Sequence, residues 1–205
     1  MIYFSSDHHF WHNNVIKYCD RPFASVEEMN EIMILRWNEV VKPEDTVYYL
    51  GDFAMAARAP EVYTNRLNGT KILVNGNHDF THPYHKKSRN EDNRKIWRDK
   101  YISWGWHSVV DEVNIEIDGI KLKMCHLPYP STYENQEEAQ HEDKYARFRP
   151  VDEGVILLNG HVHEKWAMKK SSKGTLMINV GVDVNNFYPI SFEKIKEIIQ
   201  ESDKK

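Results

Sequence analysis

Five short polar motifs carry the groups in this chain that could do chemistry: Asp7-x-His9, Gly51-Asp52, Gly76-Asn77-His78-Asp79, His126 and Gly160-His161-x-His163. Each follows directly on a short apolar run: Ile2-Tyr3-Phe4, Val47-Tyr48-Tyr49-Leu50, Ile72-Leu73-Val74, the alternating stretch 122–124, and residues 155–158. Such runs read as strands. In open α/β sheets ligands bind where strands end at their carboxyl edge. Taken singly, each motif is equally well read as a polar loop cap. Five such endings converging would gather oxygen and imidazole donors at one point, with room for more than one metal ion. A donor set of N and O without thiolate suits manganese, iron, zinc, nickel or cobalt and disfavours a structural zinc knuckle.

The elements needed to hold these motifs can be read around them. Ser25-Val26-Glu27-Glu28 is a capping-box start, and Met29, Ile32, Met33, Trp37 and Val40 follow at helical spacing. That helix stops before Pro43, and a strand over 46–50 leads to Asp52. Pro60 opens a second predicted helix that closes at Asn68-Gly69, and a strand over 71–74 leads to Asn77. The first eighty residues thus alternate strand and helix, an α/β pattern. In the second half, residues 113–117 and 120–124 alternate about Asp118-Gly119, a hairpin signal. Two more strands, 155–158 and 176–180, are separated by a polar Lys-Ser-Gly turn. An amphipathic helix with Phe192, Ile195, Ile198 and Ile199 closes the chain. The expectation is two packed sheets flanked by helices, with residues 81–98 and 131–150 as polar loops near the site.

A length of 205 residues predicts a single domain spanning 1–205. No apolar stretch reaches the roughly 18 residues of a membrane span. The amino terminus runs straight into the first strand pattern, leaving no room for a signal peptide. Cys19 and Cys125 are the two cysteines, so no disulfide framework is expected and a reduced, cytoplasmic setting fits. A net charge of −4 disfavours a broad duplex-binding surface. It leaves nucleic acid open, because bound cations would make a local pocket positive.

The ordered motif set resembles the calcineurin-like metallophosphoesterase superfamily, and the resemblance runs from residue 1 to about residue 190. It implies a four-layered α/β/β/α sandwich of two packed mixed sheets flanked by helices, with a binuclear metal centre. Carried onto this chain, Asp7, His9, Asp52 and His163 would hold one ion. Asp52, Asn77, His126 and His161 would hold the other, with Asp52 shared. Two divalent ions would outweigh the carboxylates of Asp7 and Asp52, so the cluster would attract an anion such as phosphate. Ions about 3.5–4 Å apart can generate hydroxide and clamp a phosphoryl group. The implied cofactors are two divalent transition-metal ions, manganese first. By the same resemblance His78 contacts the scissile phosphate and protonates the leaving oxygen.

The chain departs from the protein-phosphatase branch, which reads Gly-Asp-x-Val-Asp-Arg-Gly. Here Met55 and Ala56 stand where Asp and Arg would be. A phosphoprotein phosphatase is therefore disfavoured, Asp79 or nothing must orient His78, and the short chain points to small prokaryotic or phage-type members. His12 either reaches substrate or caps the next helix. His8 is expected to point away from the metals, and Trp104 and Trp106 into the core. Arg58, Arg66 and Arg89 could bind phosphate but read better as solvated. His82 and His85 with Lys86 and Lys87 read as an exposed loop, or else as a basic lip. The expected function is phosphodiester or phosphomonoester hydrolysis by direct attack of metal-bound hydroxide. The expected substrate is a nucleotide or short single-stranded nucleic acid. The rivals are a catalytically silent metal-binding scaffold for protein partners and a nuclease on longer nucleic acid.

Overall fold

The computed structural model describes residues 1–56, 59–130 and 144–202. Arg58, His141 and most of the predicted loop after Pro130 lie outside them. Among the described residues, ten strands form two five-stranded mixed sheets. The first sheet has the order β10 (Ile190–Ser191), β1 (Ile2–Ser5), β2 (Thr46–Tyr49), β3 (Thr70–Val74), β4 (Ser108–Val110), with β1 to β4 parallel and β10 antiparallel to β1. The second has the order β5 (Val113–Ile117), β6 (Ile120–Met124), β7 (Ile156–Asn159), β9 (Leu176–Asn179), β8 (Met168–Lys170), parallel across its three central strands.

Alternation along the strands sorts their side chains into layers. Tyr3, Val47, Tyr49 and Leu73 face the helical side. There they pack with Met29, Met33 and Trp37 of α2 (Val26–Val40), Tyr63 of α3 (Ala59–Thr64) and Tyr101 of α4 (Glu91–Ser103). Phe4, Leu50 and Val74 face the other way and meet Leu122, Met124, Leu158 and Ile178 of the second sheet. The last helix, α5 (Phe192–Ser202), feeds Phe192 and Ile195 into this inter-sheet core beside β1 and β10. Leu157 and Met177 point out of the second sheet and are covered by Tyr129, Tyr145, Phe148 and Trp166. The short helix α1 (Asn13–Tyr18) follows the first motif.

Local signals act as the sequence suggests in several places. Ser25 caps α2 by accepting from the Glu28 N–H at 3.1 Å, and Glu28 reaches back to the Ala24 N–H at 2.6 Å. Asp118 and Gly119 both take positive φ, +51° and +79°, as a tight hairpin turn requires. Elsewhere the structure corrects the reading. The helix begun at Pro60 ends at Thr64, and the chain continues to Gly69 through two tighter turns, Arg66 N–H to Tyr63 and Leu67 N–H to Thr64. The stretch 81–98 is loop only as far as Asn90, whose side chain caps α4 by accepting from the Asn93 N–H. Strands β4, β8 and β10 have two or three residues each, too few to show an alternation. No helix of the described residues is long and apolar enough to cross a membrane.

Candidate metal centre

The parallel strands β1, β2, β3, β6 and β7 deliver their loops to the same edge, and backbone hydrogen bonds stitch those loops together. Asp7 N–H donates to Gly51 C=O (3.0 Å), His9 N–H to Asp52 C=O (3.1 Å) and Gly160 N–H to His126 C=O (3.1 Å). The His161 N–H donates to the Asp7 carboxylate at 3.0 Å, joining the first motif to the last. The chain turns sharply to achieve this. Asp7, His9, Asp52, His161 and His163 all have positive φ, between 49° and 72°, a region that ordinary residues avoid. The glycines ahead of the ligands are required by close approach. A Cβ on Gly51 would strike the Gly76 backbone, and one on Gly160 would strike the Asp7 carboxylate and the Ser6 hydroxyl.

Of three groups of metal-compatible side chains among the described residues, two are built entirely from the motifs. Asp7, His9 and His163 form one, and Asp52, His126 and His161 the other, with the ligand atoms of each within 4.8 Å of one another. Asp52 lies between the groups. Its Oδ2 is 3.5 Å from His9 Nε2, 3.4 Å from His126 Nε2 and 3.9 Å from His78 Nε2. Asn77 joins the second group through its Oδ1, 3.1 Å from His126 Nε2.

The donor set fits divalent cations. His9 is buried, yet neither of its ring nitrogens has a hydrogen-bond partner, and burying unsatisfied polar atoms is costly. His126 and His163 each donate from Nδ1, to Leu50 C=O at 2.7 Å and to Asp183 Oδ2 at 2.9 Å, which leaves Nε2 as the nitrogen each ring can offer a cation. Burial holds the His9 and His161 imidazoles well below their usual pKa, which favours the neutral form that a metal ion requires. The surrounding histidines hold Asp52 well below the carboxylate range, against its burial. Cys19 also comes within 4.8 Å of ligand atoms of His163 and Glu164, a neighbour with no sequence signal.

The remaining expected residues fall into three sets. His78 stands at the mouth, its side chain 43% exposed, with its N–H donating to Asp52 Oδ1 at 2.8 Å. His12 occupies the cap position of α1 without a side-chain capping bond, and its ring lies 5.4 Å from that of His9, facing the site. Asp79 does something other than orient His78. Its two oxygens accept from the N–H groups of Asp52 (2.9 Å), Phe53 (3.1 Å) and Gly76 (2.8 Å), so it braces the loops that carry Asp52 and Asn77. Burial and the Asp52 charge push its pKa up to about 7.

His8 points away, into the helical-side core, with Nδ1 2.9 Å from the Tyr49 hydroxyl. Arg66 is committed to Glu31 at 2.6 Å. The expected exposed loop is altered as well: His82 is buried, its pKa lowered to about 3, and Lys87 lies over the Phe80 and Trp97 rings.

Sequence reasoning missed the supports of the site. Asp183, which accepts from His163, also takes a two-pronged ion pair from buried Arg21 at 2.7 and 2.9 Å. Arg21 in turn donates to the backbone carbonyls of Asp7 (2.7 Å) and His8 (2.9 Å). Tyr145 Oη accepts from Asn77 Nδ2 at 3.3 Å. Arg21 and Asp183 are 162 residues apart, and no local pattern links them.

No protein-family model matches the chain. It is 31% identical to the uncharacterized protein MJ1445 of Methanocaldococcus jannaschii over 210 residues, covering 97% of this chain and 91% of that protein. It is 26% identical to the Gene 66 protein of Mycobacterium phage D29, covering 98% of this chain and 96% of that protein. Among solved structures, the protein of unknown function AQ665 from Aquifex aeolicus superposes with a TM-score of 0.64 at 27% identity, covering 97% of this chain and 98% of that one.

Proposed function

We propose that the chain, whose five motifs resemble those of the calcineurin-like metallophosphoesterase superfamily, is a metal-dependent phosphoesterase hydrolysing phosphodiester or phosphomonoester bonds of a nucleotide or short single-stranded nucleic acid. The observation that carries this reading is Asp52 Oδ2, set within 4 Å of histidines from both ligand groups and of the exposed His78. Asp7, His9, Asp52 and His163 would hold one ion, and Asp52, Asn77, His126 and His161 a second. Manganese is the first choice for both. Such ions supply Lewis acidity toward phosphoryl oxygens and lower the pKa of bound water.

The chain's own residues do the rest. The N–H donors on Asp79 fix the approach of the Asp52 and Asn77 loops. Arg21 and Asp183 fix the His163 ring and its Nδ1 proton. His78 Nε2, open to solvent above Asp52, is placed to give a proton to the leaving oxygen, a contribution of typically about 10²–10⁴-fold. His12, beside His9, is placed to touch the substrate. The free thiols of Cys19 and Cys125 suit a cytoplasmic setting.

The test is a substrate panel of bis(p-nitrophenyl) phosphate, p-nitrophenyl phosphate, 2′,3′-cyclic nucleotides and short oligonucleotides, assayed with Mn²⁺. At least one should be turned over, and Asp52→Ala should abolish that turnover. Protein loaded with metal that cleaves none of them would overturn the proposal.

A further inference from the structure

A cleft of about 580 Å³ opens beside Asn77 and His78, a size that suits a nucleotide-scale group. Its cations come from loops of both sheets. Lys86 and Arg89 stand on the 3-10 turn Lys86–Ser88 and its end, after β3. Arg147 stands on the turn Ala146–Phe148, before β7. Among the described residues no carboxylate lines the cleft, and none of the three cations forms an ion pair with another of them. Arg147 instead stacks on Phe148, 4.5 Å from its ring centre, which holds the guanidinium in place.

In a chain of net charge −4, three cations gathered with no counter-charge among the described residues form a segregated positive wall. Guanidinium and ammonium groups so arranged favour phosphate, which can accept several charge-assisted hydrogen bonds. The cleft is lined by Asn77 and His78 as well, so an anion bound there is within reach of the molecule whose reacting phosphate would lie at the candidate metal centre.

The geometry points to a subsite for a second phosphate. Resting on the phosphoesterase reading, we propose that the favoured substrate is a phosphate ester carrying a further phosphate, held by Lys86, Arg89 and Arg147. Two chromogenic esters test this: the p-nitrophenyl ester of thymidine 5′-phosphate, and the same ester bearing a 3′-phosphate. The metal-loaded protein should show a kcat/KM about tenfold higher for the second, the effect of one good charge-assisted contact. That ratio should fall towards one in the variant Lys86→Ala/Arg89→Ala/Arg147→Ala, and should shrink as salt is raised. Equal rates on the two esters, or a preference that survives the triple substitution, would overturn the subsite.

If neither ester is turned over, the substrate panel above still decides the phosphoesterase reading, and binding by the metal-loaded protein decides the subsite separately. Adenosine 3′,5′-bisphosphate should bind more tightly than adenosine 5′-monophosphate, and the triple variant should lose the difference. Equal affinities in the unaltered protein would overturn it.

Discussion

His78 stands beside Asp52 and Asp183 beside His163, and the two should fail differently when removed. His78 is exposed and lies outside both groups, so His78→Ala should keep its metal while turnover drops about 10²–10⁴-fold. Metal analysis beside a steady-state assay checks this, and loss of metal with activity would make His78 a ligand. Asp183 touches no ligand atom but holds the His163 proton on Nδ1. Asp183→Ala should weaken Mn²⁺ binding by about 10–100-fold, read by isothermal titration, because such partners set the tautomer and aim of a ligating histidine. The residues of the two candidate groups could be picked out from sequence, since each lies at the end of an apolar run. Their supports could not. Arg21, Asp79 and Asp183 act through contacts that only the folded chain creates, and Asp79 looked like a partner for its neighbour His78 when its oxygens in fact face three backbone N–H groups.

At the level of elements, the site depends on loops packed backbone to backbone. Gly160→Ala would drive a methyl group into the Asp7 carboxylate, so both metal content and activity should fall, with the secondary structure retained by circular dichroism. Helix α2 is held to the first sheet by Trp37, fully buried and donating from its indole N–H to Asn68 C=O at 3.0 Å. Trp37→Ala should cost about 3–5 kcal/mol and lower the melting temperature by roughly 10 °C; an unchanged midpoint would contradict that packing. The strongly apolar central strands and the capped α2 were legible from pattern alone. Helix α4 was not, because its charged majority hides the Trp97, Tyr101 and Trp104 spacing that packs it against the core. The edge strands β4, β8 and β10 are defined by the neighbours they pair with, not by any periodicity of their own.

For the molecule as a whole, acid stability has an identifiable contributor outside the candidate metal centre. Asp152 accepts from Ser171 (2.5 Å), Thr175 (2.7 Å) and the Gly154 N–H (3.0 Å), tying the β8–β9 turn to the segment before β7. These bonds hold its carboxyl below the usual 3.8. The unfolded chain therefore binds this proton first as pH falls, and stability contributed above pH 3.8 is lost through the window below it. Asp152→Asn should flatten that part of the acid limb in denaturant titrations, and an unchanged slope would contradict the assignment. At this scale the two-sheet sandwich was readable from the switch between an α/β first half and a hairpin-rich second half. The cleft built from loops of both sheets was not, because Lys86, Arg89 and Arg147 meet only after the halves pack.

The central claim is that two ions shared through Asp52 make this chain a phosphoesterase. Stripped protein titrated with Mn²⁺ while bis(p-nitrophenyl) phosphate hydrolysis is followed tests it most directly. Turnover should rise from background and level off at two equivalents per chain. A rate that saturates at one equivalent, or stays at background with both equivalents bound, would contradict the account.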